Sequence, residues 1–386
     1  MTSANRSQSL GVRHVALWMV LQATAVLLIA LALEGYLRAH ETYVVSRAGK
    51  GLGRLVLVAD DLVAKTHRGR RLIPNAHVLI RHHRTSGLDN IPMDINALGF
   101  RGPEIPTQKA ARELRVLVLG DSITWADYLP EEKGYVRQAE TALQTRVPDR
   151  RFTVVNGGIG DVGTTEELDL LEERGLAVAP DLVVLAWYLN DSRPPWGFAE
   201  EMGSRGWLRR HSLLAEKSYV YFELQRWIHE TGEDRLRWGW AAQTLPWATR
   251  HEAFLELAVA ARFDWGAAWD PVSWDTLQPQ FVRLKQLANK HHFKVAVVAF
   301  PVSYQVYASL LDATPQDELR RRLAAFSFPV LDLLPLLRSQ PHANWHGRPF
   351  GDDDLFFDQC HTRPEANVLI GREIASFVSA TLVGEE

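Results

Sequence analysis

The strongest constraint on this chain is a rhythm. Residues 115–120, 152–156, 182–188, 294–300 and 329–333 are short, apolar and rich in branched side chains. Amphipathic helical patterns lie between them at 135–145, 164–174, 280–291 and 315–325. Runs without polar alternation are buried on both faces, and strands separated by helices pair in parallel through crossovers rather than as hairpins. The pattern therefore predicts an α/β fold, a flavodoxin-like three-layer α/β/α arrangement around a central parallel sheet at 113–191 and 276–386. Ligands of such sheets bind outside the carboxyl ends of the strands, so residues just after each run are where chemistry is expected.

Other segments fall outside this rhythm. Residues 15–33 carry no charge, and as a helix they reach about 28 Å, enough to cross a bilayer. We expect a single-pass membrane anchor at 1–40; a cleaved signal peptide is the competing reading, because Ala30-Leu31-Ala32 resembles a cleavage site. Arg6 and Arg13 precede the apolar run while Arg38, Arg47, Lys50 and Arg54 follow it, so the charge count does not support an exported catalytic domain. Residues 41–112 read as a small β-rich lead-in, with a hairpin at 75–96 turning at Thr85 to Asn90. Within it Lys65, Arg68, Arg70, Arg71, Arg81 and Arg84 crowd together, with His67, His77, His82 and His83 interleaved. This cluster is expected to be a solvated face, or a contact with anionic lipid or an acidic polymer.

Residues 192–275 show no strand pattern and hold nine of the thirteen tryptophans, with helical spacing at 212–230 and 254–262. They read as a helical insertion, a compact core or lid in preference to a ligand cage, with a substrate-facing cap as the alternative. A net charge of −3 gives no field for nucleic acid, and the single cysteine, Cys360, excludes an intrachain disulfide.

Chemistry-bearing residues do stand at the ends of the runs. Gly120-Asp121-Ser122 stops the 115–120 strand; Asp and Ser there can turn the chain or cap a helix, or lift a hydroxyl to the sheet edge. Asn190 and Asp191 follow 182–188, where a side-chain amide is free to donate to a developing negative charge. Residues 156–163, NGGIGDVG, end another strand and offer backbone N–H groups, the glycines being otherwise explained by positive φ. Asp358 and His361 lie three apart before a helical pattern at 364–382, with Thr362 and Glu365 at capping-box spacing. The pairs His82-His83 and His291-His292 lack helical ligand spacing, and Asp352, Asp353 and Asp354 read as a solvated loop, so no metal is expected.

GDSIT at 120–124, NGGIGDVGT at 156–164, YLND at 188–191 and DQCH at 358–361 stand in the order and spacing of the four blocks of the SGNH/GDSL hydrolases. The chain resembles that family over residues 94–380, and INALGFRGPE at 95–104 is similar to members carrying an amino-terminal membrane helix. The resemblance implies Ser122 as nucleophile and backbone oxyanion donor, His361 as base, Asp358 as its orienting carboxylate and Asn190 as side-chain oxyanion donor. It implies Gly160 as the second backbone donor, although an ungapped match to the block puts Asp161 there. Tyr188 stands where the family has glycine, and Cys360 is expected to be a bystander facing away. A cofactor-free esterase or deacetylase acting on an acylated small molecule, lipid or carbohydrate is the implied activity, on the periplasmic or extracellular side. An O-acyltransferase modifying an envelope polysaccharide, and a noncatalytic carbohydrate-binding or scaffold protein, are the alternatives.

Overall fold

The computed structural model of the chain describes residues 4–49, 55–57, 62–66, 69–80, 83, 85–192, 220, 233–341 and 354–384. Helix α1 (Ala4–Gly49) contains an apolar stretch, His14–Leu37, of 24 residues with mean hydropathy 2.3, none of it buried. Trp18, Leu27 and Ile29 are more than half exposed. Apolar surface around the whole helix is costly in water, at roughly 25 cal/mol per Å², and is satisfied by lipid or a partner. By length and composition this helix is able to cross a membrane; a signal sequence meets the same description.

The lead-in has two small β units. Strand β1 (Leu55–Leu57) pairs with β4 (His77–Ile80), which forms the expected hairpin with β5 (Ile91–Asp94), Val78 opposite Met93. Strands β2 (Val63–Thr66) and β3 (Gly69–Leu72) make a separate antiparallel ribbon.

The main domain then alternates as the sequence predicts. Strand β6 (Glu113–Gly120) is followed by the short helix α2 (Ser122–Trp125) and by α3 (Tyr135–Arg146), then β7 (Arg151–Gly158) and α4 (Thr164–Glu173). After β8 (Leu182–Tyr188) come α5 (Glu233–Thr244), α6 (His251–Ala260) and α7 (Pro271–His291), then β9 (Lys294–Phe300). Helices α8 (Ser303–Tyr307) and α9 (Thr314–Leu323), strand β10 (Val330–Asp332), α10 (Leu334–Arg338) and α11 (Pro364–Leu382) complete the chain.

The sheet runs β7-β6-β8-β9-β10, every pairing parallel, which is a 2-1-3-4-5 order and hence flavodoxin-like. Right-handed crossovers explain the layers. The step from β6 to β7 goes one way along the sheet, and the steps to β8, β9 and β10 go the other, so their helices cover opposite faces. Helix α11 returns to pack on α3, and α7 packs on α4. Every residue of β8, the central strand, is buried.

Two expectations are corrected here. Arg70 and Arg71 do not lie on a solvated face: they are 5% and 0% exposed because β3 packs on α4. Arg71 donates to Glu173 at 2.7 Å and to the Arg70 carbonyl at 2.7 Å, and Arg70 Nη1 lies 3.6 Å from Asp161 Oδ2. The helix expected to start at residue 280 starts at Pro271, with Asp270 accepting from the Val272 N–H, and Pro279 lies inside it. Helix α6 takes up residues 254–260 of the pattern expected at 254–262, whereas the expected helix at 212–230, apart from the helical Val220, and Asp352 and Asp353 lie outside the described residues. Trp238, Trp247, Trp265 and Trp274 are buried, and Trp247 and Trp265 pack on Tyr304 with ring centroids 4.8 and 5.4 Å apart. These four tryptophans are helical core.

Candidate active site

Strand register brings the block ends together. Gly120 pairs with Gly158 on one side and Ala186 on the other, so Ser122, Gly160 and Asn190 all follow the carboxyl edge of adjacent strands. Asp121 caps α2, its Oδ1 accepting from the Ile123 N–H at 2.9 Å, and this puts Ser122 at the first helical position. An N–H there has no intrahelical acceptor.

Ser122 meets a residue 239 positions away. Its hydroxyl lies 2.9 Å from His361 Nε2, and His361 Nδ1 lies 2.7 Å from Asp358 Oδ2. The other Asp358 oxygen, Oδ1, accepts from the N–H groups of Cys360 and His361 at 3.0 and 2.9 Å, so the carboxylate is clamped by its own loop. With Nδ1–H donating to the carboxylate, Nε2 is left to accept from the serine hydroxyl.

Burial alone would lower the His361 imidazole, but the adjacent Asp358 charge and hydrogen bond outweigh it and hold it well above its usual range. Burial would raise the Asp358 carboxyl; the His361 charge and the hydrogen bonds it accepts bring it down to about 2. The pair therefore favours imidazolium beside carboxylate, the charge state needed after proton transfer.

The glycines act through space, not through positive φ. A Cβ on Gly120 would lie 2.1 Å from Thr124 Oγ1, and one on Gly158 2.1 Å from the Trp125 backbone nitrogen, so both let α2 fold back onto the sheet. In the 156–163 loop the left-handed residue is Asp161, at φ 60°. A Cβ on Gly160 would sit 3.9 Å from Ser122 Cβ. The Gly160 N–H has no backbone acceptor among the described residues. Asn190, 8% exposed, sits in a 3₁₀ turn ending β8; its Oδ1 is buried and has no hydrogen-bond partner among the described residues, and Asp191 accepts from the Tyr188 N–H at 2.8 Å.

Two further expectations change, and a third position is explained. Cys360 does not face away: its Sγ is 3.6 Å from His361 Nδ1, and burial pushes its thiol up to about 12. Tyr188, where the family has glycine, is 1% exposed and fills the core. Thr362 does not cap α11: Arg363 holds the N-cap position with no side-chain bond, because Thr362 is drawn into a bridge with Phe356.

Sequence reasoning missed two supports. Tyr128, fully buried, sets its ring against His361 edge-on with centroids 4.8 Å apart. Arg101, 2% exposed, donates to the carbonyls of Trp125, Ala126 and Leu129 at 2.8, 2.5 and 2.6 Å, holding the loop that joins Ser122 to Tyr128. The phrase containing Arg101 was noticeable in the sequence; its targets were not. Behind the site Glu167 is 1% exposed with neither carboxyl oxygen hydrogen-bonded among the described residues. Burial, then the charges of Asp121 and Glu166, push its carboxyl well above the usual range.

No protein-family model and no curated protein matches the chain. Among solved structures it is similar to an acetyl xylan esterase, AlAXEase, at 14% identity and a TM-score of 0.40, over 69% of this chain and 100% of that one. It is similar to a two-domain esterase active on acetylated mannans at 15% identity and a TM-score of 0.39, over 72% of this chain and 52% of that one. A lipase/acylhydrolase from Enterococcus faecalis is similar at 14% identity and a TM-score of 0.32, over 71% of this chain and 99% of that one.

Proposed function

We propose that the chain is a serine ester hydrolase of the SGNH type, attached to a membrane by α1. The observation that carries this reading is the unbroken hydrogen-bond chain from Asp358 through His361 to Ser122. A hydroxyl so held is activated when a base accepts its proton as it attacks.

In this reading Ser122 Oγ attacks the carbonyl carbon of an O-acyl substrate while its proton passes to His361 Nε2. The carbonyl π pair moves onto oxygen, and Asp358 stabilises the imidazolium. The N–H of Ser122, the N–H of Gly160 and the Asn190 amide donate to that oxyanion. When the oxyanion collapses, the C–O bond to the alcohol breaks and His361 returns the proton to the leaving oxygen. Water, deprotonated by His361, then attacks the acyl-serine ester; the acid is released and Ser122 regains its hydrogen. Gly160 is preferred to Asp161 as donor because it abuts Ser122 and brings no charge.

Replacement tests this directly. Ser122→Ala in the full chain should lower hydrolysis of a small aryl ester by about 10⁴-fold or more while the thermal transition stays in place. Undiminished turnover by a well-folded Ser122→Ala protein rules the reading out.

A further inference from the structure

We propose that Asp358, Cys360 and His361 form a binding site for a thiophilic divalent cation, zinc above all, and that its occupancy switches the catalytic histidine off. One ligand atom from each residue lies within 4.8 Å of the others: a carboxylate oxygen, a thiol sulfur and an imidazole nitrogen. Those are the ligand types of zinc. Tetrahedral zinc with Zn–S near 2.3 Å and Zn–N and Zn–O near 2.0–2.1 Å sets nitrogen and sulfur about 3.5 Å apart, and nitrogen and oxygen about 3.3 Å apart. In the protein His361 Nδ1 is 3.6 Å from Cys360 Sγ and 2.7 Å from Asp358 Oδ2. The nitrogen–sulfur span fits; for the ion to bind, Asp358 Oδ2 must move about 0.6 Å away from Nδ1 and closer to the sulfur, against the Cys360 and His361 N–H bonds that hold Oδ1. Entry is from the Asp358 side, where that side chain is 31% exposed and His361 17%.

Charge and protons balance. Thiolate and carboxylate together neutralise the dication, and imidazole binds neutral. The thiol proton leaves to solvent, and the proton on Nδ1 relocates to Nε2 as the metal takes the Nδ1 lone pair. An Nε2–H then faces Ser122 Oγ, and this tautomer has no lone pair to accept the serine proton. The wrong tautomer alone costs about 10⁴-fold in a serine triad. The fourth position is left to water, so the ion is an inhibitor and not a cofactor of the proposed hydrolysis. The binding stands on geometry alone; the inhibition rests on the reading of Ser122 and His361 given above.

Because Cys360 is the chain's single cysteine, a thiolate–metal signal has one source. Cadmium, a zinc mimic, titrated into the full chain in detergent should give a near-ultraviolet thiolate-to-metal charge-transfer band saturating at one ion per chain, with release of a proton. Cys360→Ser should lack that band. Against each protein's own metal-free rate, zinc should inhibit aryl-ester hydrolysis, a chelator should restore it, and the half-inhibitory zinc concentration should rise at least about tenfold in Cys360→Ser. Absence of the band in the native chain overturns the site, as does equal zinc sensitivity in the variant. If Cys360→Ser fails to fold, Cys360→Ala, which keeps the buried position apolar, carries the same two comparisons. A band in a protein that hydrolyses no ester keeps the ion site and removes the hydrolase reading instead.

Discussion

In the proposed hydrolysis Ser122, His361 and Asp358 work as one unit, each fixing the protonation of the next. The Asp358 charge that orients His361 also raises its affinity for a proton, so the neutral base becomes available only as pH rises. The acid limb of kcat/KM should therefore lie above about 6.5, the usual imidazole value. A pH profile with its limb at or below that value would show that the carboxylate does not dominate the imidazole. In the same proposal Asn190 acts only when charge develops on the substrate oxygen. Asn190→Ala should lower kcat by about 10²–10³-fold with little change in KM, the signature of a lost oxyanion donor; a change in KM alone would make Asn190 a binding residue.

Helix α2 is too short to hold its own position, and Arg101 supplies what its length does not. The guanidinium takes three carbonyls from the turn after α2, where Ala126 adopts a left-handed conformation at φ 52°. Arg101→Met would leave three carbonyls without their donor in a buried setting. We expect it to destabilise the protein by about 3 kcal/mol or more in urea unfolding, and to lower kcat more than it raises KM, since Tyr128 loses its seat against His361. A loss below about 1 kcal/mol would mean that the turn holds itself. The same element explains why glycines 120 and 158 read ambiguously: they answer to the close approach of α2, a contact that lies outside the local sequence.

At the scale of the molecule, an unburied apolar helix precedes a domain whose core, among the described residues, takes in none of its side chains. If α1 crosses a bilayer, Leu21→Arg with Leu28→Arg should release the full chain from membranes. Each charge near the centre of a span costs about 2.5–3.5 kcal/mol. Wild type should stay in the pellet on alkaline extraction and the double variant should move to the supernatant; equal pelleting would count against a span. The parallel sheet and its order were legible because burial of both faces writes itself into each strand as an unbroken apolar run, β8 most clearly. Residue types at the strand ends were legible for the same reason, since polar groups such as Asn190 and Ser122 interrupt the pattern only where the sheet ends. Tertiary structure alone decided the 2.9 Å from Ser122 to His361, the turn of Cys360 toward the imidazole, and the burial of Arg70 and Arg71. Periodicity records which face of an element avoids water, but a contact between residues 239 positions apart is set by how packed elements meet, and nothing local encodes that.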